Sequence, residues 1–234
     1  LFLLFTAAFL QAQDTVYLDK EYKEVTPKEA MYYQVNDWNA PGDQDLLRKT
    51  FWKNGQIKSE RNFLKKGEKL TAHGISKFWY ENGQLYYSQN YRKGKRHGEL
   101  LAYWEDGTAR RQDYFKKGKL KSGKVWDKNG KETEHFPVLV PAMFPGGQLA
   151  IRDYLKKHLP VNPRQQKNTE VRVVVSLRVN KEGYISEVEI VEGAPLWYNA
   201  VTTNALLTMP RWNPGMHMGE PINVRYTLPV IFRK

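Results

Sequence analysis

The stretch FWYENGQLYYSQNYRKGKRHG, residues 78–98, sets Asn82-Gly83 between two aromatic-rich runs and closes the second run with Lys93-Gly94. Asn-Gly flanked by strand-forming residues is a strong short-range hairpin signal, because both central residues of a type I′ turn need positive φ, which Asn, Asp and Gly tolerate best. A two-residue turn here predicts Glu81 opposite Gln84, Tyr80 opposite Leu85 and Trp79 opposite Tyr86. Aromatic cross-strand pairs of this kind contribute about 0.2–1 kcal/mol each.

The pattern recurs on both sides. Asn54-Gly55, Asp106-Gly107 and Asn129-Gly130 repeat the dipeptide, and the four glycines lie 28, 24 and 23 residues apart. A second set, Gly67, Gly94 and Gly118, marks the opposite turn of each unit. One unit is therefore two short antiparallel strands, and successive units continue a meander. The residues before each turn read Phe51-Trp52, Trp79-Tyr80, Tyr103-Trp104 and Trp126-Asp127. Neighbours on a strand point to opposite faces, so both faces carry aromatic rings. The expectation is a thin, single-layer sheet covered by those rings and by Lys and Arg stems. His73-Gly74 and His97-Gly98 hold the same place in successive units and read as part of the turn pattern rather than as a shared histidine site.

Net charge is +12, and residues 51–135 carry 20 basic against 10 acidic groups. The lysine-rich turns read first as solvated edges that resist edge-to-edge pairing. Anionic lipid or lipopolysaccharide phosphates are the alternative partners, whereas nucleic acid is not expected. The absence of cysteine excludes disulfides, thiolate metal sites and a cysteine nucleophile. The leading run LFLLFTAAFLQAQ is apolar for about ten residues, short of the roughly 20 that span a bilayer. It reads as a signal-peptide remnant over 1–13 with cleavage near Ala12 or Gln13, with a truncated membrane anchor or a buried element as the alternatives. Residues 14–50 read as a leading hairpin and connection, and 51–134 as the repeats.

After the repeats the pattern changes. HFPVLVPAMFPGG, residues 135–147, is a Pro-punctuated linker, and a second domain follows over 148–234. Ile151, Tyr154, Leu155, His158 and Leu159 form one helical stripe, on which His158 reads as packed rather than catalytic. Val171, Val173, Val175, Leu177 and Val179 alternate with polar residues, and a turn at Asn180–Gly183 leads to a second strand. Pro195 to Pro210 bracket a second helix. Val224, Tyr226, Leu228, Val230 and Phe232 then share one face of a last strand. The order is α-β-β-α-β, two helices on a three-stranded antiparallel sheet. The fold class is mainly β plus α+β. Glu187, Glu189 and Glu192 read as a solvated strand face. Met216-His217-Met218 has soft ligands but no second cluster, so no metal site and no cofactor are assigned.

Residues 51–132, with their NGQL turns and HG or SG glycines, resemble the MORN-variant repeats of exported bacterial proteins. Residues 144–234 resemble the TonB carboxy-terminal domain through FPGG, VVVSLRVNKEGYISEVEIVEG, ALLTMPRWNPG and GEPINVRYTLPVIF. The second resemblance implies a periplasmic domain that takes an extended peptide, the TonB box of an outer-membrane receptor, as a strand added beside its last strand. It implies peptide-binding residues at Asn223, Val224, Arg225, Tyr226, Thr227 and Leu228, with Pro229 ending the usable ladder. It also implies a role in TonB-dependent transmembrane transport, and a family prone to strand-exchanged dimers leaves a homodimer open. One departure stands out: Asn162 occupies the position where the family usually has tyrosine before Pro163. The sequence carries no Gly-rich phosphate loop, HExxH or nucleophile elbow, so a non-enzymatic interaction protein of the Gram-negative envelope is expected. A non-transducing scaffold whose repeats bind anionic envelope components remains the alternative.

Overall fold

The computed structural model describes residues 15–38 and 45–234, so the expected leader lies outside the described residues. The chain divides into two compact units, Leu1–His135 and Phe136–Lys234. Among the described residues, no helix is long and apolar enough to cross a membrane.

The first unit is one antiparallel sheet of eleven strands among the described residues. They are β1 (Thr15–Leu18), β2 (Tyr32–Trp38), β3 (Asp45–Trp52), β4 (Ile57–Lys66), β5 (Lys69–Ala72), β6 (Gly74–Trp79), β7 (Leu85–Arg92), β8 (Lys95–Tyr103), β9 (Ala109–Lys116), β10 (Lys119–Trp126) and β11 (Glu132–Thr133). Strands pair in chain order except that β4 pairs with both β5 and β6. The meander therefore begins before the first Asn-Gly turn, with the leading hairpin as part of the same sheet.

The turns differ from the type I′ expectation. Gly55, Gly83, Gly107 and Gly130 have φ of 77–90°, while Asn54, Asn82, Asp106 and Asn129 do not have positive φ. Each is a three-residue loop: Gly83 N–H donates to the Tyr80 carbonyl at 3.0 Å and Tyr80 N–H to the Gln84 carbonyl at 2.9 Å. That is a type I turn closed by a left-handed glycine, which leaves a bulge in the returning strand. The cause is local. Asn82 Oδ1 accepts the Gln84 N–H at 2.9 Å, and Asn54 and Asp106 do the same for Gln56 and Thr108, which keeps the side chain engaged in an Asx turn. The bulge corrects the register: Trp79 pairs with Leu85 rather than Tyr86, and Phe78 with Tyr87. Tyr80 still meets Tyr86, with ring centroids 4.8 Å apart. In this sheet the two-residue turns with two positive φ values are Lys93-Gly94 and Lys117-Gly118 instead.

Rings and cationic stems do cover much of the sheet: Phe78 stacks on Tyr87 at 4.3 Å, Lys58 lies 3.4 Å from the Trp52 centroid and Arg110 lies 4.1 Å from that of Trp104. One cross-strand row, however, is buried. Ser76, Gln89, Leu100 and Asp113 stand opposite one another across β6 to β9 and are each buried. At the end of that row the Asp113 carboxylate takes Arg111 Nη1 at 2.7 Å and His135 Nε2 at 2.8 Å. Lys93 N–H meets His73 Nδ1 at 3.4 Å, in keeping with a turn role for that histidine.

The second unit holds β12 (Leu139–Val140), α1 (Gly147–His158), β13 (Glu170–Val179), β14 (Ile185–Glu192), α2 (Leu196–Leu207), β15 (Gly215–His217), β16 (Glu220–Ile222) and β17 (Val224–Arg233). One sheet runs β14-β13-β17 and a second, smaller one runs β12-β15-β16. Val173, Val175, Leu177 and Val179 form the core with Phe144, Leu155, Tyr198, Leu206, Trp212, Val230 and Phe232. Prolines bracket α2 as expected, Pro195 being its N-cap. The smaller sheet was not expected. The Pro-punctuated stretch, expected as a linker, pairs through Leu139–Val140 with β15 and sends Ala142 and Phe144 into the core. Met216-His217-Met218 is not an open loop but β15 and its turn, with Met218 1% exposed at φ 52°. His158 stacks on Tyr154 at 3.9 Å.

Candidate peptide-binding edge

The last strand stands at the edge of its sheet. β17 pairs along its whole length with β13, from Glu170↔Arg233 to Val179↔Val224, and carries no strand on its other side among the described residues. Val224, Tyr226 and Leu228 pack against the core, and Val230 and Phe232 are buried in it. Arg225, Thr227, Pro229 and Ile231 occupy the opposite face, exposed.

Backbone groups along a strand alternate in direction with the same period as the side chains. Pro229 has no N–H, and within a sheet such a residue is tolerated where its nitrogen faces away from the ladder. The odd-numbered residues share its side. At the strand's end the Lys234 carbonyl accepts Asn168 N–H at 2.8 Å, which turns the even-numbered set toward β13. The outward donors are thus the N–H groups of Arg225, Thr227, Ile231 and Arg233, and Pro229 keeps an outward carbonyl. β17 continues four residues beyond Pro229, so the strand itself does not end there.

A groove of about 1280 Å³ lies along this edge, lined by Ile151 and Leu155 of α1, by Leu159 at its C-cap and by β17 from Tyr226 to Arg233. Ile151 and Leu155 share one face of α1 at four-residue spacing, and Leu159 follows at the cap. The charged lining is Arg152, Lys156 and Arg233. Tyr226 donates its hydroxyl to the Ala142 carbonyl. Burial holds the Tyr226 phenol above its usual pKa. Trp212 also lines the groove, and its buried Nε1 has no partner among the described residues.

The six residues expected to bind peptide divide into two groups. Tyr226, Thr227 and Leu228 line the groove. Asn223 precedes the strand and accepts Lys181 N–H through Oδ1 at 3.1 Å, while Arg225 pairs with Glu187 at 3.2 Å and Glu189 at 3.5 Å. Val224, the first residue of the strand, packs against the core away from the groove lining. Glu187 also holds Arg178 at 2.9 Å, so the acidic alternation is an ion-paired lattice across β13, β14 and β17 rather than a bare solvated face. Val230, Ile231 and Arg233 line the groove and were not among the expected six. Their alternation continued past Pro229 in the sequence, and that was the available signal.

Residues 162–233 match the family model described as Gram-negative bacterial TonB protein C-terminal. That match begins after α1, so it takes in the whole of β17 and leaves the helical wall of the groove outside. The MORN repeat variant model matches residues 44–65 and 72–93, which covers β3, β4 up to its last residue, β6 and β7 with their Asn-Gly turns. The two families stand in the order the sequence indicated. No curated protein and no solved structure matches the chain. Asn162, where the TonB pattern usually has tyrosine, accepts Arg164 N–H through Oδ1 at 2.9 Å.

Proposed function

We propose that the second unit captures an extended peptide as a further strand on the outer edge of β17, and that the chain acts as a TonB-like interaction protein in the envelope of a Gram-negative bacterium. The observation that carries this reading is the groove between α1 and β17, alongside outward backbone donors at Thr227 and Ile231. Backbone pairing supplies affinity in such additions, and alternate side chains supply selectivity. One set of the guest's side chains enters the apolar stripe of Ile151, Leu155 and Leu159; the other lies beside Thr227 and Ile231. Arg152, Lys156 and Arg233 favour a guest with carboxylates.

The TonB match supports outer-membrane receptors as the source of the peptide. The reading requires no catalytic residue. It places the domain in the periplasm and makes transport through TonB-dependent receptors the process it serves.

Hydrogen exchange on the full chain tests the reading. Synthetic peptides from the periplasmic ends of outer-membrane receptors should slow exchange at the Arg225, Thr227 and Ile231 amides while leaving the inward amides of β17 unchanged. A peptide that binds without protecting those three amides removes strand addition at this edge, and a panel that does not bind removes the receptor reading.

A further inference from the structure

The leading hairpin holds a second cavity, in the first unit. Tyr17, Tyr33 and Phe51 stand directly opposite one another on β1, β2 and β3, which puts three aromatic rings on one face of the sheet. Tyr33 and Phe51 stack with centroids 4.9 Å apart and planes 11° from parallel. Over Tyr17 and Tyr33 lies a cavity of about 370 Å³, walled by Pro27 and Ala30 and reached by Thr15 and Lys53. Small-molecule sites begin at about this size, and they combine apolar or aromatic walls with a few polar groups that fix orientation.

The walls are fixed before any ligand arrives. Val25 N–H donates to the Tyr17 carbonyl at 2.9 Å, Met31 N–H to Leu18 at 2.9 Å and Lys53 N–H to Met31 at 3.1 Å. These bonds pin the segment that carries Pro27 and Ala30 to the sheet. The phenols and the lysine, in contrast, are underused. The Tyr17 and Tyr33 hydroxyls make no hydrogen bond among the described residues, and Lys53 Nζ reaches only the Lys28 carbonyl, at 3.4 Å. No acidic side chain among the described residues lines the cavity to neutralise that ammonium.

We propose that this cavity binds an anionic sugar, a pyranose ring bearing a carboxylate. The aromatic lining of Tyr17 and Tyr33 suits the apolar C–H groups of a pyranose, their two phenolic hydroxyls suit its hydroxyl groups, and Lys53 suits the carboxylate. A flat aromatic acid would use the rings and the lysine but leave the hydroxyls unmatched. The site lies on the leading hairpin and is separate from the β17 edge, so it stands or falls independently of peptide capture.

Isothermal titration of the full chain with D-glucuronic acid and D-glucose tests it, since the two differ only at the carboxylate. The acid should bind saturably, with glucose about two- to five-fold weaker, as expected for one partly exposed ion pair. Lys53→Gln should erase that difference. Tyr33→Leu should abolish binding of both sugars with the circular dichroism spectrum of the sheet retained, and Tyr17→Leu provides a second variant should Tyr33→Leu fail to fold. Absence of saturable binding to the parent chain, equal affinity for acid and neutral sugar, or unchanged binding in a folded tyrosine variant each overturns the assignment.

Discussion

Asp113 Oδ1 and His135 Nε2 meet at 2.8 Å across the last full repeat, over a strand position that has no side chain. That position is Gly123, paired with Asp113 in the register of β9 and β10. A Cβ there would overlap Asp113 Oδ1 and lie 2.5 Å from His135 Nε2. Unlike the turn glycines, Gly123 does not have positive φ. Its requirement is space for the carboxylate–imidazole contact that ends the buried row.

Gly123→Ala should therefore destabilise the first unit by about 1–3 kcal/mol, the usual cost of forcing extra atoms into a packed site. Alanine at the exposed neighbour Lys121 should not. Urea denaturation checks it, and an unmoved midpoint for Gly123→Ala would show that Asp113 and His135 can part at no cost.

Gly83 is the opposite case. A Cβ added there would have nothing within 4 Å, but φ is +86°. Gly83→Val should cost about 1–3 kcal/mol through backbone strain alone. Asn82→Ala should cost less, about 1 kcal/mol, because it chiefly removes the hydrogen bond to Gln84 N–H. Thermal melts of the two variants rank them, and a larger loss for Asn82→Ala would count against the left-handed glycine as the element that fixes the turn.

On the β17 edge, Thr227→Pro deletes an outward N–H in the stretch that lines the groove and leaves the inward ladder to β13 intact. Peptide capture should be lost in a chain whose circular dichroism matches the parent. Leu228→Pro removes an inward donor instead, and should unfold the second unit. Equal peptide binding by a folded Thr227→Pro variant would place the guest elsewhere.

Lys58 gives a pH dependence. Burial depresses its pKa from 10.5 to about 8 in the folded protein, against the pull of Glu81. Between those values the unfolded chain binds more protons than the folded one, so the Lys58 contribution grows as pH rises. It is fully present above 10.5 and lost as pH falls through about 8. Lys58→Met should flatten this part of the profile, measured as the melting temperature of parent and variant across that window. Parallel profiles would mean that Lys58 titrates as an exposed lysine.

The sequence by itself determined where chain reversals fall and which residues share a face. Glycine at Gly55, Gly83, Gly107 and Gly130 reports a positive φ, and the alternation from Val224 to Phe232 reports a buried face; both are local properties of backbone sterics and strand geometry. Turn type was less legible. An Asn-Gly pair fits either a two-residue turn or a bulged three-residue loop, and the Asx hydrogen bond to Gln84 selected the second. Only the tertiary structure decided the rest. Leu139–Val140 joins β15, which begins at Gly215, in a strand too short to leave a periodic signal; α1 is brought beside β17 to make a groove; and Asp113, Gly123 and His135 converge from three separate segments. These contacts join residues distant in the chain, and no local pattern encodes which distant partner will satisfy a buried charge or border an open strand edge.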